Sequence, residues 1–468
     1  MRKSAPYNRA PGPPERTHLP AVLLILAVLL GCSQSTRPSS TAAGSTAPES
    51  TAPGSTAAGS TAAGSTAPGS TAPGATTTVA TTPDSEPDAP QTARPPAPVE
   101  VFDEISLRAP VDSPWPEPGA LVRFQHLVDH DSPEATRYRV LYTSTNGLDL
   151  PSLVSGLVTI PTAAIPPGGW PLLLWGHGTT GAADICAPSA TLAYPPLPEP
   201  LVSEGFVVAA TDYLGLGMPG AHAYLDGPAA GRAMLDIAHA SEQLPNTTLS
   251  HRIGIWGHSQ GGHAAVWARQ LAATRLMDWE VVGTVAIAPP ANIAASMRAV
   301  VEALPNKAFA IMTLTGIAGN FPAADLDQVL TPAAAREATF MVEVACANNI
   351  DRQFFARPRD QLVINHVDET EPFRSILTSF EPAMAPGVGP LLLVHGDADA
   401  TVPVQFSAVQ KERVCGRGEN AQRWVYPGMG HVNVIDASWQ ALAQWTRDRF
   451  NRVDVVNGCQ ESELPPPG

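Results

Sequence analysis

The stretch Gly257-His258-Ser259-Gln260-Gly261 decides the fold of this chain, because of the sequence on either side of it. The mostly apolar residues 251–256 predict a short buried strand, and the Ala-rich residues 262–271 predict a helix. A strand, Gly-x-Ser-x-Gly and a helix in this order are typical of a nucleophile elbow, a sharp turn that exposes a serine hydroxyl. We therefore predict that Ser259 is a nucleophile; the alternative is a serine in a structural turn.

The sequence around this turn alternates between strands and helices. Alternating polar and apolar residues predict antiparallel strands at 138–143 and 153–160, with a turn at Asn146-Gly147. Continuously apolar strands are predicted at residues 170–175, 205–210, 253–256, 281–288 and 390–394. Helices are predicted at residues 231–244, 264–273 and 437–449. Buried strands separated by helices predict an α/β fold, in which a mostly parallel sheet carries helices on both faces.

Between about residues 291 and 389 this alternation stops. The stretch contains Ala-rich helical segments and no convincing core strand. Its aromatic residues include Phe321, Phe340, Phe354, Phe355 and Phe373. We predict a mainly helical cap insertion that lies over the active site; the alternative is an additional layer of helices that covers the sheet.

The chain downstream of Ser259 supplies the partners that a serine nucleophile requires. A serine hydroxyl needs a base to take its proton, and a carboxylate must orient that base. On an α/β-hydrolase sheet the chain order is serine, acid, histidine. His431 is the last histidine of the chain and follows the strand-like residues 423–426, so we predict it as the base. The alternative is an exposed loop histidine.

The predicted acid lies in the loop that follows residues 390–394. This loop reads His395-Gly396-Asp397-Ala398-Asp399-Ala400-Thr401-Val402-Pro403. Hydrolases with an H-G-x-x-D-x-x-V-P loop use the aspartate at the position of Asp399. We therefore predict Asp399 as the acid, with Asp397 as the alternative; Asp397 is then a loop or cap residue.

The oxyanion of a tetrahedral intermediate needs two or more fixed hydrogen-bond donors. One predicted donor is the backbone N–H of Gln260, the residue after the nucleophile. The second is predicted in the Gly-His-Gly-Thr-Thr-Gly loop at residues 176–181, which follows a strand and whose glycines permit a close approach to substrate. Thr179 is the first choice for this donor and Thr180 the second.

Three other polar residues near these motifs are interpreted as structural. Asp212 follows a strand end and is expected to cap a turn, although it is also a candidate for shaping the pocket. His258 is expected to point away from the site, and His263 to pack within its helix. The chain has no C-x-x-C pair that would favour a zinc site, and we expect neither a metal nor an organic cofactor.

The N-terminal segment predicts export. Basic residues precede an apolar run at residues 19–30, which is too short to span a bilayer and is typical of a signal peptide at residues 1–31. Leu29-Leu30-Gly31-Cys32 resembles a bacterial lipobox and predicts acylation of Cys32; the alternative is an ordinary signal peptide. Pentapeptide repeats between residues 40 and 74 predict a disordered linker over residues 32–100.

The catalytic domain is predicted at residues 101–460, followed by a flexible tail at 461–468. The net charge of −15 argues against a nucleic-acid partner and against electrostatic attraction to anionic lipids. No protein partner is implied. Besides Cys32 the chain has four cysteines, for which three pairings exist.

Together these motifs resemble the secretory lipase family of α/β-hydrolases, the group that includes the yeast lipase A type and many actinobacterial exported lipases. The resemblance covers most of residues 101–459. Besides the elbow, it rests on Gly178-Thr179-Thr180-Gly181, Cys186-Ala187-Pro188-Ser189, Asp212-Tyr213-Leu214-Gly215-Leu216-Gly217, Gly231-Arg232-Ala233-Met234-Leu235-Asp236, Ala288-Pro289-Pro290, the loop from His395 to Pro403, and Gly430-His431.

The resemblance implies a lipase or carboxylesterase with a helical cap after the sixth core strand. It also implies that Cys186 pairs with Cys346 and Cys415 with Cys459. The chain departs from the yeast members at residues 177–180, where those members carry an acidic residue, so a carboxyl contact to the oxyanion is not carried over.

The sequence therefore predicts an exported serine hydrolase that cleaves small-molecule or lipid-like esters at the cell surface, anchored in the membrane through Cys32. Secretion as a soluble protein is the alternative location. Two other functions stay open, a peptidase or amidase that uses the same residues, and a catalytically idle surface lipoprotein.

Overall fold

In the computed structural model, which describes residues 115–192, 199–302 and 306–460, nine strands form one mixed sheet. The strands are β1 Leu121–His126, β2 Ala135–Thr145, β3 Pro151–Pro161, β4 Trp170–Gly176, β5 Val207–Thr211, β6 Leu249–His258, β7 Glu280–Ile287, β8 Leu391–Gly396 and β9 Ala421–Tyr426. Their order is β1-β2-β3-β5-β4-β6-β7-β8-β9. Pairs β1–β2, β2–β3 and β3–β5 are antiparallel, and the other five are parallel. The predicted, mostly parallel sheet is confirmed.

Every predicted strand overlaps a strand of this sheet, but the sequence does not predict β1. The two buried residues of β1 are Leu121 and Phe124. Its register with β2 shifts between Leu121 and Arg123, so the inward-facing residues are three positions apart instead of two. This irregularity removes the alternation that identifies a half-buried strand.

Helices cover both faces of the sheet. The described helices are α1 Pro188–Thr191, α2 Glu199–Ser203, α3 Gly227–Glu242, α4 Gln260–Arg275, α5 Ile293–Glu302, α6 Lys307–Asn320, α7 Pro332–Val344, α8 Ala347–Phe354, α9 Arg359–Leu362, α10 Phe373–Ser379, α11 Gln405–Gly416 and α12 Asn433–Phe450. Leu172 and Leu174 of β4 pack in the apolar cluster that contains α3 and α4. Leu173 and Trp175 pack in the cluster that contains α12. This two-residue alternation places helices on both faces, as predicted.

Between β7 and β8, the regular elements of the described residues are helices, α5 to α10, apart from one short 3-10 turn. Their buried side chains, among them Ile311, Leu314, Phe354 and Phe373, form an apolar cluster separate from those on the sheet. The segment follows β7, the sixth strand counted from β2, where the family resemblance implies a cap. A separate apolar core of this kind is what a cap insertion requires. The assignment of residues 291–389 as a cap stays a prediction.

Two disulfides join Cys186 to Cys346 and Cys415 to Cys459, the pairs that the resemblance implies. The first links the segment after β4 to the residue that precedes α8. Beside it, the backbone N–H of Ala347 donates to the carbonyl oxygen of Thr180 at 3.0 Å. This disulfide therefore fastens the helical segment to the predicted oxyanion loop.

The predictions for residues 1–100 and 461–468 lie outside the described residues. These are the signal peptide, the acylated Cys32, the linker and the tail. Among the residues that the structure does describe, no helix has the length and apolar character that a membrane span requires.

Candidate active site

The predicted nucleophile Ser259 lies between the end of β6 and the start of α4. Its φ is 56° and its ψ is −117°, a strained conformation that the hydrogen bond from its N–H to the carbonyl oxygen of Ile287 (2.8 Å) helps to hold. A Cβ on Gly257 would lie 1.9 Å from the carbonyl oxygen of Gly261. A Cβ on Gly261 would lie equally close, 1.9 Å, to that of Gly176. Both glycines are therefore required by close backbone approaches.

The structure brings Ser259, His431 and Asp399 together from three loops, at the carboxyl ends of β6, β9 and β8. The distance from Ser259 Oγ to His431 Nε2 is 2.9 Å, and from His431 Nδ1 to Asp399 Oδ2 it is 2.7 Å. When Nδ1 carries the proton and donates it to the carboxylate, Nε2 is left as an acceptor for the serine hydroxyl. This geometry fits a serine, its base and the carboxylate that orients the base.

The carboxylate of Asp399 is held from several sides and its side chain has no exposed surface. Its Oδ1 accepts hydrogen bonds from the backbone N–H groups of Thr401 and Val402, both at 2.8 Å. Burial by itself raises the pKa of Asp399, but hydrogen bonds from His395 and His431 outweigh this and hold the pKa well below its usual range. Asp399 is therefore ionised at neutral pH.

The alternative acid, Asp397, does not reach His431. It is exposed, and its Oδ1 accepts a hydrogen bond from the backbone N–H of Gly428 at 2.6 Å. Asp397 thus ties two loops together. The structure brings Asp399, and not Asp397, to the predicted base.

His395 has a position that the sequence analysis did not assign. Its ring is fully buried, with Nε2 3.3 Å from Asp399 Oδ2 and 3.0 Å from the carbonyl oxygen of Val402. It therefore contacts the same carboxylate oxygen as His431 Nδ1 does. Its place at the start of the H-G-x-x-D loop was the available signal.

His258 and His263 are both buried, and burial lowers the pKa of each to about 4. The Nε2 of His258 lies 2.8 Å from the backbone carbonyl oxygen of His431, so this side chain contacts the loop that carries the predicted base. His263 packs within its helix, and its Nε2 lies 2.7 Å from the carbonyl oxygen of Phe380.

The predicted oxyanion donors flank the elbow. Gln260 is the first residue of α4, where N–H groups lack partners within the helix and the helix dipole is positive. The loop at residues 176–181 packs against the elbow through Gly176, as described above. In this loop Thr179 Oγ1 lies 2.7 Å from the hydroxyl of Tyr224, and both Thr179 and Thr180 are partly exposed. Both threonines stay candidates for the second donor.

Asp212 is fully buried in a polar cluster with Ser155 and Ser189. Its carboxylate accepts from Ser155 Oγ at 2.6 Å, from the backbone N–H of Ser189 at 3.0 Å, and from the Ser189 hydroxyl. Burial raises the pKa of Asp212, and these hydrogen bonds oppose that rise. These contacts fit the structural interpretation of Asp212. In the described part of the chain, no three His, Cys, Asp or Glu side chains gather as metal ligands would.

Known proteins resemble this chain in sequence and fold. A family model described as secretory lipase matches residues 192–458. A secreted triacylglycerol lipase of Malassezia globosa is 26% identical over 370 residues, which cover 73% of this chain and 78% of the relative. A trichothecene C-3 esterase of Fusarium sporotrichioides is 28% identical over 280 residues, covering 55% of this chain and 60% of the esterase. Candida antarctica lipase A in its closed state has a TM-score of 0.61 at 19% identity, covering 74% of this chain and 85% of that one.

Proposed function

Because this chain belongs to the secretory lipase family, and is therefore a carboxylic-ester hydrolase of the lipase and carboxylesterase type, we propose that it cleaves lipid-like esters through an acyl intermediate on Ser259. One observation carries the proposal, the continuous hydrogen-bond path from Ser259 Oγ through the His431 ring to the buried Asp399 carboxylate. A serine in a purely structural turn has no need of a base and a carboxylate aligned in this way.

In the proposed first step, His431 Nε2 takes the proton of Ser259 Oγ as this oxygen attacks the ester carbonyl carbon. His431 then gives that proton to the leaving alcohol, and the ester C–O bond breaks to leave an acyl group on Ser259. His431 then takes a proton from a water molecule as the water oxygen attacks the acyl carbon. The bond between the acyl carbon and Ser259 Oγ breaks, His431 returns the proton to Oγ, and the carboxylic acid leaves. Asp399 stays ionised and stabilises the imidazolium that forms twice in the cycle.

The tetrahedral intermediates carry negative charge on the former carbonyl oxygen. We propose that the backbone N–H of Gln260 donates to this oxygen, together with a group of Thr179 or Thr180. Removal of one such donor typically lowers the rate by about 10²–10³-fold. The positive end of α4 favours the same charge.

The substrate class follows from the relatives. One of them is a triacylglycerol lipase and another an esterase that acts on a trichothecene, so the shared chemistry is a carboxylic ester of an alcohol. The helical segment at residues 291–389 is proposed as the cap that shapes the acyl site.

Export is supported by the secreted lipase of Malassezia globosa. We propose that residues 1–31 are removed, that Cys32 is acylated, and that residues 32–100 space the catalytic domain from the membrane. Expression of the full chain and of Cys32→Ala in a bacterial host with lipoprotein processing tests this. If Cys32 is an anchor, the wild type should enter the detergent phase of a Triton X-114 extraction and the Cys32→Ala variant should not. Equal partitioning of the two proteins would contradict anchoring and favour secretion as a soluble protein.

Ester hydrolysis tests the proposed activity. The protein from residue 101 onward and its Ser259→Ala variant are compared on p-nitrophenyl esters from acetyl to palmitoyl and on a triglyceride emulsion. Activity on long chains and emulsion that is lost in Ser259→Ala indicates a lipase, and activity on short esters alone a carboxylesterase. A folded wild type that cleaves no ester would contradict the proposal and bring the peptidase and idle-lipoprotein hypotheses forward.

A further inference from the structure

The loop at residues 212–226, between β5 and α3, contacts both segments that carry the predicted oxyanion donors. Three side chains make these contacts. Tyr213 donates its hydroxyl to the carbonyl oxygen of His177 at 2.8 Å. The Tyr224 hydroxyl lies 2.7 Å from Thr179 Oγ1, and His222 Nε2 lies 3.1 Å from Gln260 Nε2. One loop thus reaches the elbow and the loop after β4 together.

The direction of the hydrogen bond between His222 and Gln260 follows from the surroundings of the imidazole. Burial lowers the pKa of His222 to about 4, so the ring is neutral at pH 7 and carries one N–H. Its Nδ1 lies 2.9 Å from the carbonyl oxygen of Leu214, which is an acceptor, so Nδ1 holds the proton. Nε2 is then an acceptor, and the Gln260 amide donates to it. The side chain of Gln260 is fixed by this bond.

The Tyr224 hydroxyl is buried as well, and burial raises the pKa of Tyr224 above its usual range. Tyr224 therefore keeps its proton and has one O–H to donate. When it donates to Thr179 Oγ1, the hydroxyl hydrogen of Thr179 is left to donate elsewhere. The side chain of Thr179 is thereby oriented before any substrate binds.

The loop itself is held in place on two sides. Internally, the N–H of Ala223 donates to the carbonyl oxygen of Leu214 at 3.0 Å. From the cap side, Asn320 of α6 donates to the carbonyl oxygen of Ala221 at 3.1 Å. At the start of α3, Asp226 accepts from the N–H of Ala229 at 3.0 Å and caps the helix. The positions of His222 and Tyr224 are therefore set by both the core and the cap.

We propose that His222 and Tyr224 are positioning residues for the oxyanion hole. His222 holds Gln260 so that its backbone N–H points at the oxyanion, and Tyr224 orients Thr179 so that its hydroxyl is the second donor. The inference rests on the proposed function, and it selects Thr179 over Thr180. Donors held before the reaction stabilise the transition state without a further cost of reorganisation.

The proposal predicts coupling between Tyr224 and Thr179, which a double-mutant cycle on a soluble ester measures. Thr179→Val removes the proposed donor and should lower kcat about 100-fold. Tyr224→Phe removes one hydroxyl and should lower kcat about tenfold, with little change in KM. The double variant should resemble Thr179→Val alone, because Tyr224 acts only through Thr179. A double variant whose kcat falls about 1,000-fold, the product of the two single losses, would overturn the proposal. So would a Tyr224→Phe variant in which only KM changes or in which kcat is unchanged.

Rescue tests the His222 contact. His222→Phe removes the acceptor for Gln260 and should lower kcat about tenfold, while His222→Gln restores most of it, because its amide oxygen can accept. Equal losses in both variants would contradict the assigned role. If His222→Phe does not fold, His222→Leu, which also lacks an acceptor, takes its place in this comparison, and the Thr179 cycle tests the role of Tyr224 separately.

A matched control is Tyr142→Phe. Tyr142 is also fully buried, and its hydroxyl donates to the carbonyl oxygen of Ala233 at 2.8 Å and lies 2.7 Å from Thr211 Oγ1, whose hydroxyl can donate to it; neither partner carries a predicted oxyanion donor. Its loss should lower the melting temperature and leave kcat unchanged. A wild type without Ser259-dependent ester cleavage would refute the proposed function; an active wild type with additive Tyr224 and Thr179 losses would refute this inference alone.

Discussion

Nε2 of His258 lies 2.8 Å from the backbone carbonyl oxygen of His431, so the residue before the predicted nucleophile holds the loop that carries the predicted base. The two rings are 4.8 Å apart between centroids. Because burial lowers the pKa of His258 to about 4, its ring is neutral and donates one N–H to that carbonyl. The elbow therefore positions the predicted base as well as the predicted nucleophile.

We expect His258→Leu to lower kcat about tenfold, because the loop around His431 loses its anchor and the distance between Ser259 Oγ and His431 Nε2 varies more. His258→Gln keeps an N–H donor at a similar reach and should recover much of the rate. Steady-state kinetics on a soluble ester measure both. Wild-type kcat in His258→Leu would show that the contact has no part in positioning His431.

The two aspartates of one loop give a matched pair of variants. Asp399→Asn leaves the shape of the buried side chain but removes the charge that holds the His431 proton on Nδ1, and kcat should fall about 10⁴-fold. Asp397→Asn changes an exposed residue that contacts Gly428, and kcat should stay within about threefold. Similar losses in the two variants would contradict the assignment of Asp399.

Removal of either disulfide should lower the stability, but removal of only one of them should also lower the activity. Cys186 and Cys346 close a span of 160 residues, and Cys415 and Cys459 one of 44, so removal should cost about 5 and about 4 kcal/mol in the chain-entropy model. Only the first pair fastens the helical segment between β7 and β8 to the chain beside the predicted oxyanion loop. Serine replacement of this pair should lower kcat as well as the melting temperature.

Serine replacement of Cys415 and Cys459 is the control, and it should lower the melting temperature alone. Both double variants are assayed by thermal unfolding and by ester hydrolysis at a temperature where they stay folded. An unchanged kcat after loss of the Cys186–Cys346 link would show that the oxyanion loop keeps its position without it.

The buried side chain of His263 should make the free energy of unfolding depend on pH. Burial lowers its pKa from 6.5 to about 4, so the unfolded chain binds the proton more tightly than the folded protein does. Its contribution is complete above the unfolded pKa and is lost as the pH falls towards the folded one. Between about pH 7.5 and about pH 5, the wild type should lose about 2 kcal/mol more unfolding free energy than His263→Gln. Urea unfolding at both pH values checks this, and parallel losses would refute it.

The fold follows from the sequence wherever burial is regular. The apolar strands around residues 172–174 and 253–256 alternate with helices, and the structure has them in the predicted mostly parallel sheet. The edge strand β1 escapes prediction because its register shift breaks the period of two. The segment predicted as a cap is helical, as its sequence indicates, but its contacts with the rest of the chain depend on long-range packing that no local pattern encodes.

The candidate site also has a part that the sequence predicts and a part that it does not. Chain order and the H-G-x-x-D loop are sequence patterns, and they single out His431 and Asp399. The contact of His258 with His431 joins residues 173 positions apart, and that of Tyr224 with Thr179 joins residues 45 positions apart. The contact of His395 with Val402 spans only seven positions, but it depends on the direction of the side chain. His395 has a sequence signal in its place at the start of the H-G-x-x-D loop, but the sequence contains no signal for the groups that His258 and Tyr224 contact.

Covalent labelling of Ser259 tests the central claim most directly. A p-nitrophenyl alkylphosphonate loses p-nitrophenolate as the serine oxygen bonds to phosphorus, and only an activated serine reacts at a useful rate. The folded protein should gain one phosphonate, mapped by peptide mass to Ser259, with ester hydrolysis lost in proportion; Ser259→Ala and the urea-unfolded wild type should gain none. An unlabelled Ser259 in folded protein that still hydrolyses esters, or an inactivating adduct on another residue, would contradict the account.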